Sequence, residues 1–169
     1  MAGPHVFGPL GKLAGCLVLA ALVTGACSGG DGEEASATVR PCEVVKKSEV
    51  EVAVGSTVGD GTAPIGVPSL LVGEQVCQYS IGGAQGIPGL VKVGVASAYA
   101  PIVFGRYKAA HPQASPLPRV GNEAVWDDTA QTLVVLDGEK ALTVTVFGGG
   151  LADPKERATK LAQKALPRL

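Results

Sequence analysis

The side chains with the most distinctive chemistry in this 169-residue chain are its four cysteines, Cys16, Cys27, Cys42 and Cys77. Cys16 lies within an uncharged apolar run, and Cys27 ends that run. Two further thiols without a nearby histidine would leave a zinc site half built. We therefore predict no metal and no cofactor, and we expect these cysteines to be removed, acylated or paired in a disulfide.

The apolar run from Leu13 to Cys27 predicts export of the chain. It follows Lys12 and ends in small residues, which is the pattern of a secretory signal, and it is shorter than the roughly 20 apolar residues that span a bilayer. The segment Thr24-Gly25-Ala26-Cys27 resembles the lipobox of bacterial lipoproteins, although Leu usually stands where Thr24 is. We predict a signal peptide at residues 1–26 and acylation of Cys27, with palmitate as the expected acyl chain. The alternative is cleavage after Ala26 and free secretion.

Export also decides how the two remaining cysteines are interpreted. Cys42 and Cys77 form an even pair in an oxidising compartment, which favours a disulfide bond. In the chain-entropy description, a loop of this length contributes roughly 3.5–4 kcal/mol to stability.

The mature chain divides into a tether and a domain. Residues 27–40 comprise the acylated cysteine and a stretch rich in Gly, Ser, Ala and Glu, which cannot bury enough apolar surface to fold. Residues 41–169 have a length suited to a single domain. The chain carries 14 basic and 15 acidic residues. This balance provides no basic face for nucleic acid, and it leaves membrane attachment, on the extracytoplasmic side, to the lipid on Cys27.

Acid–base chemistry has few candidates in the domain. His111 lies in a Pro-rich connector, where we expect a solvated side chain with no carboxylate and no Ser or Thr hydroxyl as its partner. Asp127 and Asp128 are adjacent, so in a strand they would face opposite sides, and we interpret both as turn residues. The glycine clusters that begin at Gly82 and Gly148 lack the spacing and the Lys of phosphate-binding loops. These patterns predict a protein that is not an enzyme.

Three helices are predicted around this domain. The first, within residues 41–55, would begin with a capping box of Ser48 and Glu51 and stop at Gly55. The second opens at Pro101 with an apolar side of Ile102, Val103, Tyr107 and Ala110. In the last helix, Asp153 is the expected cap, Pro154 takes the first position, and the apolar stripe consists of Ala158, Leu161, Ala162, Ala165 and Leu166.

Alternating apolar residues predict five strands, at residues 76–81, 90–98, 123–126, 133–136 and 141–147. Asp137-Gly138 between the last two strands is a strong hairpin signal. Leu142, Val144 and Val146 would line one face of the last strand. We expect an α+β fold in which an antiparallel sheet of about five strands carries its helices on one face and one intra-domain disulfide.

The succession of motifs resembles a family of actinobacterial secreted lipoproteins of unknown function. The shared features are the lipobox, the tether, a Pro-Cys pair opening a short helix, and the segments 77–79, 121–126 and 142–146. Tyr79 stands where Trp is commoner. The resemblance covers roughly residues 41–169. It implies an antiparallel sheet with packed helices and implies no activity.

Two kinds of binding partner fit these observations. A membrane-tethered module could bind a small apolar ligand in a pocket lined by Val93, Tyr107, Trp126 and Val144, or it could bind an envelope protein. A second hypothesis is a structural or regulatory subunit that docks on a membrane complex. A hydrolase would need His111 in a cleft with a carboxylate and a hydroxyl.

Overall fold

The fold is built on a six-stranded antiparallel sheet. A computed structural model describes residues 39–66, 69–82, 88–148 and 150–169. These all fall within one compact unit, residues 35–169. The predicted signal peptide, Cys27 and most of the tether lie outside the described residues. The strands, in the spatial order β1-β2-β6-β5-β4-β3, are β1 (Gln75–Ile81), β2 (Gly89–Ala96), β3 (Ser115–Pro116), β4 (Glu123–Asp127), β5 (Thr132–Asp137) and β6 (Lys140–Gly148).

The predicted strand number of five is wrong by one, because the Pro-rich connector supplies the short edge strand β3. Its Ser115 and Pro116 pair with Trp126 and Val125 of β4. An edge strand tolerates proline because one of its sides needs no backbone donor. The α+β class and the antiparallel sheet are confirmed.

The hairpin predicted at Asp137-Gly138 sets the register of the sheet centre. Asp137 pairs with Lys140 across a two-residue turn, and Gly138 has a φ of 58°. A positive φ at this position favours glycine, which has no Cβ to clash. The same register then pairs Thr132 with Thr145 at the far end of the two strands.

One face of the sheet is covered by α1 (Pro41–Val44), α2 (Lys47–Val54) and α4 (Pro154–Ala165). Cys42 of α1 and Cys77 of β1 form the predicted disulfide bond. The core on this face is made of alternate residues of each strand and of the apolar helix stripes. Helix α4 buries Ala158, Leu161, Ala162 and Ala165, as predicted, and Leu166 packs against the core from just beyond it.

The predicted cap of α2 is wrong, and the predicted cap of α4 is confirmed in its position but not in its hydrogen bonding. Helix α2 begins before Ser48, so the Glu49 carboxylate accepts the backbone N–H of Lys46, while Glu51 accepts the N–H of Val58. Gly55 does end this helix, with a φ of 70°. Asp153 stands at the N-cap of α4, but it has a left-handed backbone and its side chain makes no cap hydrogen bond.

Helix α3 (Ala100–Ala110) packs on the opposite face of the sheet. It contacts the sheet along Ala100, Val103, Phe104 and Tyr107, which follow the i, i+3, i+4, i+7 spacing of one helix side. The prediction that Ile102 and Ala110 are packed on this side is wrong, because Ile102 lies off that line and Ala110, although three residues after Tyr107, is exposed in the last turn. Helix α3 reaches only the strands in the middle and at the β4 side of the sheet. Among the described residues, no helix is long and apolar enough to cross a membrane.

Candidate functional site

A continuous row of polar side chains crosses the α3 face of the sheet. It consists of residues that pair in register on five neighbouring strands, which we call the polar row: Gln78, Lys92, Thr145, Thr132 and Asp127. Alternate residues of these strands, on the other face, are apolar core. Polar side chains are common on a partly covered sheet face. Three members of this row, Lys92, Thr145 and Thr132, also line an open depression, and this face is therefore the candidate site.

The hydroxyl groups in the middle of the polar row form a directed chain. The Thr132 hydroxyl donates to the Ala130 carbonyl oxygen over 3.0 Å. The hydroxyls of Thr132 and Thr145 lie 2.8 Å apart, and since the Thr132 proton is already donated, Thr145 is the donor between them. Both hydroxyl protons are thus committed within the protein, and the oxygen lone pairs remain to accept further hydrogen bonds.

Asp127 at one end of the polar row is almost fully buried and has four hydrogen-bond partners. One carboxylate oxygen accepts the backbone N–H groups of Thr129 and Ala130, over 2.9 and 3.0 Å. The other oxygen lies 2.7 Å from Nδ1 of His111 and 3.4 Å from the Tyr107 hydroxyl, which donates to it. The rings of Tyr107 and His111 stack with centroids 4.2 Å apart. The C-terminal end of α3 is therefore joined to the end of β4.

These contacts determine the protonation of the cluster. Burial by itself raises the pKa of the Asp127 carboxyl, but the hydrogen bonds from Ala130, His111 and Thr129 outweigh it and hold the pKa below its usual value. Burial, the charge of Asp127 and the hydrogen bond to it raise the pKa of the Tyr107 hydroxyl. Asp127 is thus a carboxylate and Tyr107 a neutral donor at neutral pH, and an Nδ1–H of His111 would point at the carboxylate.

At the other side of the polar row, Lys92 is half-buried. Within the part of the chain that the structure describes, its ammonium group has no ion-pair or hydrogen-bond partner. Residues 69–74, which we call the cover segment, lie over this part of the sheet. Its Leu71 is buried against α3 and the sheet.

One carboxylate holds the cover segment in place. Glu74 accepts the backbone N–H groups of Leu70 and Leu71, over 2.7 and 3.2 Å, and it also accepts the Thr143 hydroxyl. Gly94 lies directly beneath, where a Cβ would overlap the Glu74 carboxylate and the Thr143 hydroxyl. A side chain at position 94 would therefore displace Glu74 from the sheet.

The cover segment leaves an open depression on each side. The first, of about 210 Å³, lies over the polar row and is lined by Leu70, Glu74, Val76, Lys92, Ala130, Thr132, Thr143 and Thr145. The second, also of about 210 Å³, separates the cover segment from α3 and is mainly apolar, with Arg106 and His111 at its edge. Leu70 borders both depressions. The first combines converging hydroxyl groups with two charged groups and is the stronger ligand site.

The residues predicted to line one apolar pocket do not lie together. Val93, Trp126 and Val144 are buried in the core beneath α1, α2 and α4. Tyr107 packs in the separate cluster on the α3 face. The strand alternation that makes the first three apolar also directs them away from α3, so these four residues cannot line a single cavity.

Two further predictions for this region are wrong. His111 is the C-cap of α3 rather than a solvated loop residue, and it contacts the carboxylate of Asp127. Asp127 is the last residue of β4 rather than a turn residue. Asp128 does lie in the turn, where its carboxylate accepts the indole N–H of Trp126 over 2.6 Å. Among the described residues, no Ser or Thr hydroxyl is hydrogen-bonded to His111, and no three His, Cys, Asp or Glu side chains are grouped to hold a metal ion.

The sequence did contain a signal for the polar row. Lys92, Thr145 and Thr132 interrupt strands that are otherwise apolar, and the Asp137-Gly138 turn fixes Thr132 opposite Thr145. The partner of Lys92 depends on the pairing of β2 with β6, which a local turn does not specify.

Comparisons with protein-family models, with curated proteins and with solved structures found no match to this chain.

Proposed function

We propose that this protein is a lipid-anchored, extracytoplasmic binding module that holds a small polar ligand over the polar row. The observation that carries the proposal is a row of five in-register polar residues with the ammonium group of Lys92 beside an open depression. Burying polar groups in a sheet face costs free energy unless they are hydrogen-bonded. The buried Asp127 and Thr132 meet this condition within the protein. The half-buried Lys92 has no partner among the described residues, so its ammonium group is available to a ligand.

The location is proposed from the N-terminal sequence. The run from Leu13 to Cys27 favours signal cleavage and acylation of Cys27. Residues 28–40 would then separate the domain from the membrane surface. A tethered module of this kind would present its ligand, or the ligand-bound domain, to other components of the cell envelope.

The preferred ligand is polar rather than apolar. Three of the four residues expected to form an apolar pocket are packed in the core. Two mainly apolar depressions remain. The exposed Leu70 and Val72 form one wall of the first, and the second, of about 360 Å³, is lined by residues of α2 and α4. Docking on a membrane complex is the second hypothesis, and an apolar wall of this kind would serve it. Catalysis by His111 and Asp127 would need a nucleophile that the described contacts do not supply.

A ligand titration by nuclear magnetic resonance tests the binding site. The mature chain with Cys27→Ser would be isotope-labelled and titrated separately with polyols, carboxylic acids, amines, amino acids and short fatty acids. We expect at least one polar class to shift the amide signals of Lys92 and Thr145 in a saturable way. The amides of Lys155 and Glu156, on the other face of the domain, provide the internal control and should not move.

The substitution Lys92→Met should abolish those shifts, and Lys164→Met should preserve them. Shifts confined to Leu70, Val72 and α3 on addition of fatty acids would overturn the polar site and favour an apolar ligand. No saturable shift with any class would overturn the binding function. The anchor is tested separately by fractionation of cells, since Cys27→Ala should move the protein from the membrane to the medium.

A further inference from the structure

We infer that the depression over the polar row is built for a compact zwitterion, a small molecule that carries an ammonium and a carboxylate group as a free amino acid does. This inference rests on the proposed binding function and specifies its ligand. It follows from the two charged groups that line the depression, Lys92 from the sheet and Glu74 from the cover segment. These groups are not paired with each other, since their charged atoms do not lie within ion-pair distance.

The two charged side chains lie over neighbouring backbone positions. Glu74 lies over Gly94, which is two residues from Lys92 on the same face of β2. Two residues of strand span about 7 Å. Both side chains line one depression of about 210 Å³, so a ligand that contacts both must be a small molecule.

The hydrogen-bonding capacity of the floor points to a ligand that donates. The hydroxyl protons of Thr132, Thr143 and Thr145 are all committed to protein acceptors. Only the lone pairs of these oxygens remain, and a ligand ammonium group, with its three N–H donors, would satisfy them. The one group on the floor that donates to a ligand acceptor is Lys92, which fits a carboxylate.

The carboxylate of Glu74 also has capacity left for a ligand. Its two oxygens can accept about four hydrogen bonds, and the donors it has are Leu70, Leu71 and Thr143. A ligand ammonium group could therefore contact Glu74 without breaking the bonds that hold the cover segment. A simple anion would contact Lys92 alone, and a simple amine would contact Glu74 and the threonine oxygens alone, so each makes only one of the two charge-assisted contacts.

Three molecules with similar carbon skeletons separate these possibilities. Alanine carries both charges, propionate lacks the ammonium group and ethylamine lacks the carboxylate. Titration of the Cys27→Ser mature chain should give saturable shifts at Lys92 and Thr145 with alanine. We expect propionate and ethylamine to bind at least about tenfold more weakly, because each lacks one of the two charge-assisted hydrogen bonds.

Variants at the two charged positions test the roles separately. Lys92→Met should reduce alanine binding to the level of ethylamine, and Glu74→Gln should reduce it to the level of propionate. The amide of Gln can still accept from Leu70, and the thermal midpoint of Glu74→Gln checks that the cover segment remains in place. Lys164→Met, on the far face, should leave alanine binding unchanged.

The outcomes distinguish this inference from the function on which it rests. If propionate binds as tightly as alanine, the site takes simple anions, and the zwitterion inference fails while the binding function stands. If only polyols bind over the polar row, the inference fails in the same way. If none of the ligand classes binds there, both fail together.

Discussion

The two faces of this sheet are made of the same strands and have opposite properties. On one face, Val93 of β2 and Val144 of β6 are buried beneath three helices. On the other face, the neighbouring residues Lys92 and Thr145 pair with each other beside an open depression. The difference arises because α3 covers only part of its face, whereas α1, α2 and α4 close theirs. One face therefore encloses a continuous apolar core, and the other leaves part of its polar surface open.

The largest expected effect tests the closed face. Trp126 is the largest fully buried side chain of the core. Its replacement by Ala should lower the free energy of unfolding by about 3–5 kcal/mol, because it removes buried apolar surface and leaves a cavity. Urea denaturation of Trp126→Ala gives this value. Thr145→Val, from the other face, is the matched control and should change it far less. Equal losses for the two variants would contradict the division between the faces.

The second effect concerns the disulfide that fastens the closed face. Cys42 and Cys77 lie 35 residues apart in the chain and join α1 to β1. The double variant Cys42→Ala and Cys77→Ala should lose about 3–4 kcal/mol, chiefly because its unfolded state is less constrained. Alkylation of the denatured, unreduced wild-type protein provides an independent measurement. Modification of both thiols without reduction would show that the bond does not form.

The disulfide bond and the β5–β6 hairpin indicate how much of this structure local sequence patterns predict. The disulfide and the β5–β6 hairpin were predictable because each depends on chemistry or on a turn encoded locally, as Asp137-Gly138 shows. The pairing of Asp127 with His111 was not predictable in this way. It requires the end of α3 to meet the end of β4 across a Pro-rich connector. The predicted apolar pocket was wrong because alternation assigns residues to a face without showing which face a given helix covers.

The third prediction concerns Asp127, at the end of the polar row where the end of α3 is hydrogen-bonded to β4. Asp127→Asn should lower stability by about 1.5–3 kcal/mol, since hydrogen bonds to a buried charged group contribute in this range. The folded-state pKa of Asp127 is lowered. Its contribution is therefore present above the ordinary pKa of an aspartate and is lost as the pH falls through the folded value. The difference in urea midpoint between the variant and the wild type should be full at neutral pH and should shrink as the pH falls below about 4. A constant difference would contradict this assignment.

The corresponding carboxylate beside the closed face is Glu49. The Arg168 guanidinium donates to both of its oxygens, over 2.6 and 2.7 Å. This hydrogen bonding, opposed by burial and assisted by the Lys46 backbone N–H, lowers the pKa of Glu49 to about 2. Because the pair is partly exposed and screened by solvent, we expect Arg168→Ala to lower the urea midpoint at neutral pH by less than Asp127→Asn does.

The sign of the pH dependence follows from the lowered pKa. The Glu49 contribution is present above the ordinary glutamate pKa and is lost as the pH falls toward 2. The difference in urea midpoint between Arg168→Ala and the wild type should therefore shrink between pH 5 and pH 2. A Glu49→Gln background, in which the charge is absent, should show little of this change. Persistence of the full difference at the acid limit would mean that Arg168 acts through its other contact, the Val44 carbonyl oxygen.

The smallest expected effect on stability is the most informative about function. Lys92 is half-buried, and within the described residues its ammonium group contacts no partner that would be lost on substitution. Lys92→Met retains the aliphatic part of the side chain and should change the free energy of unfolding by no more than about 0.5 kcal/mol. Lys164→Met provides the matched substitution on the other face. A stability cost above about 1 kcal/mol for Lys92→Met alone would assign Lys92 to the fold, whereas unchanged stability together with lost ligand binding would assign it to the site.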